Sequence, residues 1–396
     1  MKLNPYETYE LKKLARNHGY EGEVYSYVYP PFFGSVLMYP FTFFSYLNAL
    51  KLWFWFNIFF LYLAFFVLYQ LIRSYGKDGR GDNELYLMLF IGAMLLTFNS
   101  IAENFRWGQV NIFIFAALVL FFHFYLKEKN TWAGLCLSIL ALIKIGPVLL
   151  LFFLFLLRRY RIFFHALFFL VFLTALSVWI VGVENTLFYV KVTLPTYSFG
   201  NIPYETGLPP GDHGNSSLNG FFSSIFVRSI LALNVSWENP GLGKAVYLFS
   251  IFLLIGDAIA QNRKSISPSG NMGKIVPLSN IVILYTLMSS VTWEHHLISI
   301  CVPLAVIGAV YLNERPNKWW TVSFVLCWLI LSMDIERSLH HFVLNEIVFA
   351  NKGFFAADPH RLRPFLLIMP VKFYALVLLW FHGRKARQLV SQWPRP

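Results

Sequence analysis

A lysine inside a long apolar segment constrains this chain more than any other feature. The apolar run from Trp132 to Leu157 is interrupted once, at Leu142-Ile143-Lys144-Ile145-Gly146-Pro147. A lysine within lipid hydrocarbon costs about 2.5–3.5 kcal/mol on insertion scales, and such residues usually mark binding or transport sites. Basic residues flank the run at both ends, which favours two half-helices that meet at Lys144 over a single span. We therefore predict that Lys144 is functional, the alternative being a lysine that snorkels to an interface or pairs internally.

The composition indicates an all-α polytopic membrane protein. Hydrophobic residues make up 57% of the chain and charged residues 13%, whereas about 25% of residues are charged in soluble domains. The net charge of +12 would suit nucleic-acid binding in a soluble protein. Here the basic residues lie in short loops between apolar segments, so we exclude nucleic acid as a partner. The cysteines lie in apolar segments without CxxC spacing, and we expect neither a disulfide framework nor a zinc site.

The apolar segments predict about ten transmembrane helices, one of them split at Lys144. These segments are Trp53–Ile72, Leu85–Ser100, Asn111–Leu126, the split pair, Ile162–Val181, Ala245–Ile259, Ile275–Val291, Leu297–Leu312, Trp319–Met333 and Phe365–His382. When the loops are assigned alternately to two sides, the basic loops collect on one side. The positive-inside rule makes that side cytoplasmic.

The opposite, outer side receives the long or chemically varied connections. These are Ile101–Gly108, Glu184–Lys244, Thr292–His296 and Asp334–Pro364. Their shared side predicts a single site at the outer face. Loops longer than about 15 residues are usually functional or disordered, and we expect Glu184–Lys244 to be an ordered cap with short helices, a mobile linker being the alternative. We predict one integral-membrane domain over residues 1–396, in which residues 1–51 form an outer segment of interfacial helices.

The segment Gly108-Gln109-Val110-Asn111 is predicted to open a helix at the outer surface, directly after Arg106. Free amides and the positive end of the helix dipole attract anions at such a start, and Arg106 adds a full charge. Gly108, Gln109, Asn111 and Arg106 are therefore candidate phosphate ligands. An ordinary polar helix start is the alternative.

Two further segments offer groups for a hydroxyl-rich ligand. Tyr25, Tyr27 and Tyr29 have a spacing of two, which would align their rings on one face of an extended backbone as a sugar platform. Tyrosine is also common at membrane interfaces, and an interfacial role is the alternative. Asn215 and Ser217, in the long outer loop, offer hydrogen-bond donors and acceptors, and helix capping by Asn215 or Ser216 is compatible with this role.

The segment Trp293-Glu294-His295-His296 lies at the outer end of a predicted span. Adjacent histidines point to different faces of a helix, unlike the i,i+4 pair that binds a metal, so we predict no metal site. Either His295 or His296 can face a cavity as a proton carrier or phosphate partner. We interpret the second pair, His340-His341, as structural.

Together, these segments resemble glycosyltransferase family 87, the polyprenyl-phosphate-mannose-dependent mannosyltransferases and their relatives. The resemblance rests on Tyr27-Val28-Tyr29-Pro30-Pro31, Gly108-Gln109-Val110-Asn111, Lys144-Ile145-Gly146-Pro147, Asn215-Ser216-Ser217-Leu218 and Trp293-Glu294-His295-His296. It covers nearly the whole chain from about Pro5. It implies a GT-C fold and inverting transfer of a sugar from a lipid-phosphate donor to a lipid or glycan acceptor at the outer side of the plasma membrane.

One feature of that family has no counterpart here. The resemblance implies an aspartate just after the first transmembrane helix as general base, whereas this sequence starts with Met1-Lys2-Leu3-Asn4-Pro5, downstream of both features. We expect a true start further upstream, an inactive protein, or a substitute carboxylate. Glu7, Glu10, Glu21 and Glu23 lie in the right segment, and Glu294 is the best-placed remaining carboxylate.

The expected mechanism divides the work among these residues. Lys144, Arg106 and the helix start at Gly108 stabilise the leaving phosphate, and His295 or His296 assists. No metal or other cofactor is expected, because a lipid monophosphate carries less charge than a nucleotide diphosphate. The alternatives are a lipid-linked-sugar transporter or flippase, which would also use broken helices, and a noncatalytic scaffold. One-sided outer motifs favour the enzyme.

Overall fold

The computed structural model describes residues 4–17, 19–22, 24, 27–73, 82–201, 214–227, 237–263, 270–349, 351, 358 and 363–392. Every regular element within these ranges is helical. The α-helices are α1 (Thr8–Asn17), α2 (Tyr46–Arg73), α3 (Asp82–Thr97), α4 (Asn99–Arg106), α5 (Asn111–Leu126), α6 (Asn130–Ile143), α7 (Val148–Leu156), α8 (Tyr160–Val181), α9 (Val183–Phe188), α10 (Leu218–Phe226), α11 (Pro240–Arg263), α12 (Gly270–Met288), α13 (Cys301–Glu314), α14 (Lys318–Ser332), α15 (Ile335–Phe342), α16 (Arg363–Ile368) and α17 (Val371–Ser391). Short 3₁₀ or π-helical turns cover Phe33–Leu37, Tyr39–Phe43, Tyr189–Thr193, Leu194–Tyr197, Glu294–Ile300 and Val343–Phe349.

Burial separates central helices from peripheral ones. Within the described residues, six helices are long and apolar enough to cross a membrane. The most apolar window of Glu294–Glu314 is 83% buried, whereas those of Tyr160–Val181 and Pro240–Asn262 are each 11% buried. Helices α5 and α12 are also buried along nearly their whole lengths. A peripheral helix that is apolar but unburied needs lipid as its solvent, and the chain is therefore a multi-pass membrane protein.

Small residues bring neighbouring helices close together. A Cβ atom at Gly134 would lie 2.7 Å from the backbone nitrogen of Ala166, so glycine lets α6 approach α8. Ser138 Oγ donates to the Ala166 carbonyl at 2.6 Å across this contact. At Gly383, a Cβ atom would lie 2.2 Å from Asn280 Oδ1, which closes α17 onto α12. Close backbone approach and interhelical hydrogen bonds are the usual attractive contacts between helices in lipid.

The observed helices follow the predicted spans in order, with differences at two of them. The segment Phe365–His382 is divided into α16, which ends at Ile368, and α17, which begins at Val371. The span expected at Leu85–Ser100 ends as α3 at Thr97, turns at Phe98, and continues as α4 to Arg106. The connection predicted at Ile101–Gly108 is therefore mostly helical. Its last turn positions Glu103 and Arg106 beside the site described below.

Short helices occupy the described parts of the two predicted outer segments. Residues 1–51 contain α1 and the turns at Phe33–Leu37 and Tyr39–Phe43. The Glu184–Lys244 connection contains short helical turns and α10. The Tyr6 hydroxyl donates to the Tyr29 carbonyl at 3.0 Å, and the Tyr197 hydroxyl donates to the Val28 carbonyl at 3.1 Å. The two bonds hold Val28 and Tyr29 between Tyr6 and Tyr197. The tyrosine segment, which contains Tyr27 and Tyr29, therefore contacts both the flank of α1 and the Glu184–Lys244 connection.

Candidate active site

The helix break at Lys144 is present. Helix α6 ends at Ile143, Lys144 has an extended backbone (φ −136°, ψ 140°), and α7 begins at Val148. Pro147 is the residue immediately before this helix. At Gly146, a Cβ atom would lie 3.1 Å from the Tyr285 ring, so glycine allows α12 to pass close to the break. The two half-helices expected from the sequence are confirmed.

The Lys144 side chain lies beside the histidine pair. It interacts electrostatically with both His295 and His296. Among the residues that the structure describes, none forms an ion pair or hydrogen bond with the Lys144 ammonium. A partly buried cation with no acidic partner in the described protein is a favourable place for an anion.

Backbone contacts fix the positions of the two histidines. His296 Nδ1 lies 3.2 Å from the Trp293 backbone nitrogen and 3.1 Å from the Val291 carbonyl oxygen. The rings of His295 and His296 meet edge to face at 84°, with centroids 4.4 Å apart. The pair therefore presents two ring directions, as adjacent positions predict. Within the described chain, no group of three or more His, Cys, Asp or Glu side chains is arranged to hold a metal ion.

A pair of buried asparagines joins the helix start at Gly108 to these histidines. Gly108 has φ +60°, a left-handed conformation that favours glycine and turns the chain from α4 into α5. The Asn111 amide donates to Asn104 Oδ1 at 3.1 Å, and Asn104 Nδ2 donates to the His295 carbonyl at 2.8 Å. Helix α5 begins at Asn111 as predicted. The Asn111 side chain thus supports the position of the histidine segment, while the predicted contact of this helix start with phosphate stays a prediction.

The tyrosine segment packs directly against the helix start at Gly108–Asn111. The Tyr29 hydroxyl donates to Gln109 Oε1 at 2.8 Å, and the rings of Tyr27 and Tyr29 lie 6.1 Å apart. Burial raises the pKa of both phenols above the usual tyrosine value, so both remain neutral donors at neutral pH. Tyr25 lies outside the described residues. Two predicted elements of the site, at Tyr29 and Gln109, are therefore in direct contact.

Arg106 has different partners from Lys144. Its Nη1 atom lies 3.3 Å from Glu103 Oε1, and its guanidinium lies over the Trp107 ring at 5.4 Å. No described interaction joins the two cations. Glu103 is held further by the Trp107 indole, which donates to its Oε2 atom at 2.7 Å. One nitrogen atom of the Arg106 guanidinium is thus engaged with Glu103, while the side chain is 54% exposed.

Asn215 and Ser217 are fully buried and bonded to the turn that precedes Trp293. Asn215 Oδ1 accepts from the Thr292 N–H at 2.8 Å, and Asn215 Nδ2 donates to the Ser290 carbonyl at 3.2 Å. Ser217, rather than Asn215 or Ser216, is the cap of α10, and its Oγ accepts from the Gly220 N–H at 3.0 Å. These bonds hold the histidine segment in place. Direct contact of Asn215 and Ser217 with a sugar stays a prediction.

Glu294 is paired with Lys372, which is not among the site residues predicted from the sequence. The ammonium of Lys372, whose side chain is 0% exposed, donates to Glu294 Oε2. The Lys372 backbone N–H donates to Glu336 Oε1 at 3.0 Å. The sequence contained the signal, because Lys372 interrupts an apolar segment as Lys144 does. Its pairing required the structure.

The four predicted outer connections meet around one cavity of about 360 Å³. Its lining comes from all of them and comprises Glu103, Gly214, Trp293, Glu294, Asp334, Glu336, Arg337, His340 and His341. The pair His340-His341, which we interpreted as structural, belongs to this lining. Asp334 and Glu336 were also missed as site residues. The clustering of these connections at one end of the bundle is the arrangement that a single site requires.

Comparison with known proteins identifies the family. The model of glycosyltransferase family 87 matches residues 27–263, more than half of the chain. The match includes the tyrosine segment from Tyr27, the Gly108–Asn111 helix start, the break at Lys144 and the Asn215 segment, and it ends before Trp293. Comparisons with curated proteins and with solved structures gave no significant match. This chain, with its broken helix and its cavity of converging connections, belongs to glycosyltransferase family 87 and is a membrane glycosyltransferase.

Proposed function

We propose that this glycosyltransferase moves a hexose, with mannose as the first candidate, from a polyprenyl-phosphate donor to a lipid or glycan acceptor. The reaction takes place at the end of the bundle where the four connections meet, which we assign to the outer face of the plasma membrane. The observation that carries this proposal is the Lys144 ammonium, which lies at a helix break beside His295 and His296 with no acidic partner among the described residues.

The chemistry needed from the protein is modest. As the bond between the sugar C1 and the phosphate oxygen breaks, negative charge accumulates on the leaving phosphate. A preorganised cation in a site of low dielectric stabilises that charge, and removing one such group commonly lowers turnover by about 10²–10³-fold. Lys144 supplies this charge, and a histidine N–H can add a hydrogen bond to the same phosphate.

The lipid environment of the break favours a lipid-linked donor. The polyprenyl chain can remain among the apolar helices while its phosphate reaches Lys144 from within the membrane. Peripheral helices such as α8 are 11% buried in their most apolar window and face the lipid. A soluble nucleotide sugar would have to bring its charged diphosphate into this apolar region at a high desolvation cost.

The decisive experiment compares Lys144→Met with Lys127→Met. Lys127 is exposed and lies outside the proposed site, and its described side-chain interaction is electrostatic, with His123. Purified variants in nanodiscs are assayed for binding of radiolabelled polyprenyl-phosphate mannose and, in membranes, for incorporation of the labelled sugar. Lys144→Met should lose at least about a hundredfold in transfer, with the Lys127→Met variant unchanged. Equal donor binding and transfer by both variants would remove Lys144 from the mechanism.

A further inference from the structure

We infer that Asp334 is the general base of this enzyme and that the 360 Å³ cavity holds the acceptor. This inference rests on the proposed function, because only a transferase needs a group that takes the proton from an acceptor hydroxyl. It follows from the different environments of the four carboxylates that line the cavity.

Three of these carboxylates are already bound. Glu103 accepts from Trp107 and pairs with Arg106. Glu294 is held by the fully buried ammonium of Lys372. Glu336, which is 5% exposed, accepts from the Lys372 backbone and from Ser216 Oγ. Both carboxylate oxygens of Glu103 and of Glu336 thus accept from donors, and one oxygen of Glu294 is held by a cation, so each of the three already has a partner within the protein.

Asp334 differs from all three. Within the described residues, no cation or hydrogen-bond donor contacts its carboxylate. It occupies the position just before α15, where an aspartate normally accepts from the first backbone amides and stabilises the helix by about 1 kcal/mol. Here no such bond forms, although the Asp334 carbonyl accepts from Ser338 Oγ at 3.2 Å. The side chain is left free to line the cavity and interacts electrostatically with Glu294.

The cavity suits a hydroxyl-rich ligand. Its volume falls within the range of about 300–1,000 Å³ that small-molecule sites occupy. Carboxylates accept hydrogen bonds from sugar hydroxyls, Arg337 can donate, and the Trp293 ring can cover an apolar sugar face. The Oε1 atom of Glu294 is buried without a hydrogen-bond partner among the described residues, although Oε2 is bound to Lys372. An acceptor hydroxyl would satisfy it.

The proposed step balances as follows. The acceptor hydroxyl transfers its proton to the Asp334 carboxylate while its oxygen forms a bond to C1 of the donor sugar. The bond between C1 and the phosphate oxygen breaks, and the phosphate leaves with that electron pair beside Lys144. Asp334 then releases the proton to water. Attack opposite the leaving phosphate inverts the configuration at C1.

The test compares Asp334→Asn with Glu346→Gln. Glu346 is exposed, lies on the same connection and makes no described side-chain contact. Each variant replaces the chromosomal copy in the producing cells, and their membranes are supplied with radiolabelled polyprenyl-phosphate mannose. The labelled material that disappears on deletion of the gene defines the product. Donor binding and the size-exclusion profile are measured on the same purified variants, together with Asp334→Glu.

We expect Asp334→Asn to lose about a hundredfold or more of its product formation, with donor affinity and folding unchanged. Asp334→Glu should retain part of the activity, and Glu346→Gln should behave as wild type. Product formation by Asp334→Asn within about twofold of wild type would reject Asp334 as the base and leave the proposed function intact. Loss of donor binding or folding in Asp334→Asn would also reject it, in favour of a structural role. If deletion removes no labelled product, the proposed function itself fails.

Discussion

Lys372 and Glu294 form an ion pair in which the ammonium is fully buried and the carboxylate lies at the wall of the cavity. Glu294 was the carboxylate favoured from the sequence as a substitute base. The ion pair instead fixes the position of Glu294, because loss of this carboxylate would leave the fully buried Lys372 ammonium without a partner. The ion pair holds the Glu294 carboxylate at the cavity wall, where it can accept a hydrogen bond from a ligand hydroxyl.

A double-mutant cycle tests this pairing. Lys372→Met should destabilise the protein by about 3–5 kcal/mol, because it leaves the Glu294 carboxylate buried and unpaired. The double variant Lys372→Met/Glu294→Gln should recover much of that loss. Thermal denaturation of the detergent-solubilised protein measures the effect. Strictly additive effects of the two single changes would show that the side chains do not interact.

The two buried lysines show how much the sequence could predict. The same rule, a cation inside an apolar segment, applies to Lys144 and to Lys372, and its prediction of a helix break was correct at Lys144. The rule indicates that such a cation needs a partner but not which one. Lys372 and Glu294 are separated by 78 positions in the chain, and their contact depends on how α17 packs.

The sequence predicted which connections form the site, but not the hydrogen bonds that join them. Loop alternation correctly grouped the four connections that line the cavity. The sequence could not show that Asn215 binds the backbone near Thr292, because local patterns indicate helix capping equally well. Asp334 was missed for a similar reason. An aspartate before a helix usually caps it, and only the structure shows that this one does not.

Asn104 connects the Gly108–Asn111 helix start to the histidine segment Trp293–His296. Substitution of Asn104 should therefore weaken the positioning of both segments. In Asn104→Ala, the Asn111 amide and the His295 carbonyl each lose a partner. An unsatisfied buried group costs about 1–3 kcal/mol. We expect a lower denaturation temperature and reduced transfer. Asn351→Ala, at an exposed position with only a local helical bond, is the control and should change neither quantity.

Ser217→Ala separates a structural role from the predicted sugar contact. Loss of the α10 cap should reduce stability by about 0.5–2 kcal/mol. If Ser217 acts only through the Ser290 turn, the KM for the acceptor should remain unchanged. Ser250→Ala removes only a hydrogen bond within α11 and is the matched control. A large rise in the acceptor KM for Ser217→Ala alone would support the sugar contact predicted from the sequence.

The orientation of the bundle is the remaining prediction from the basic loops. We expect Lys129 and Lys385 to face the cytoplasm and Asn351 to face outward, since basic loops stay on the cytoplasmic side. The native cysteines Cys136, Cys301 and Cys327 are buried, which limits background labelling.

Single-cysteine variants at Lys129, Lys385 and Asn351 are therefore treated with an impermeant maleimide in intact cells and, separately, after permeabilisation. Only Asn351→Cys should react in intact cells, whereas all three should react once the reagent can enter. Labelling of Lys129→Cys in intact cells, with Asn351→Cys protected, would reverse the orientation. The cavity around Asp334 would then open toward the cytoplasm, and the donor and acceptor would have to be sought on that side.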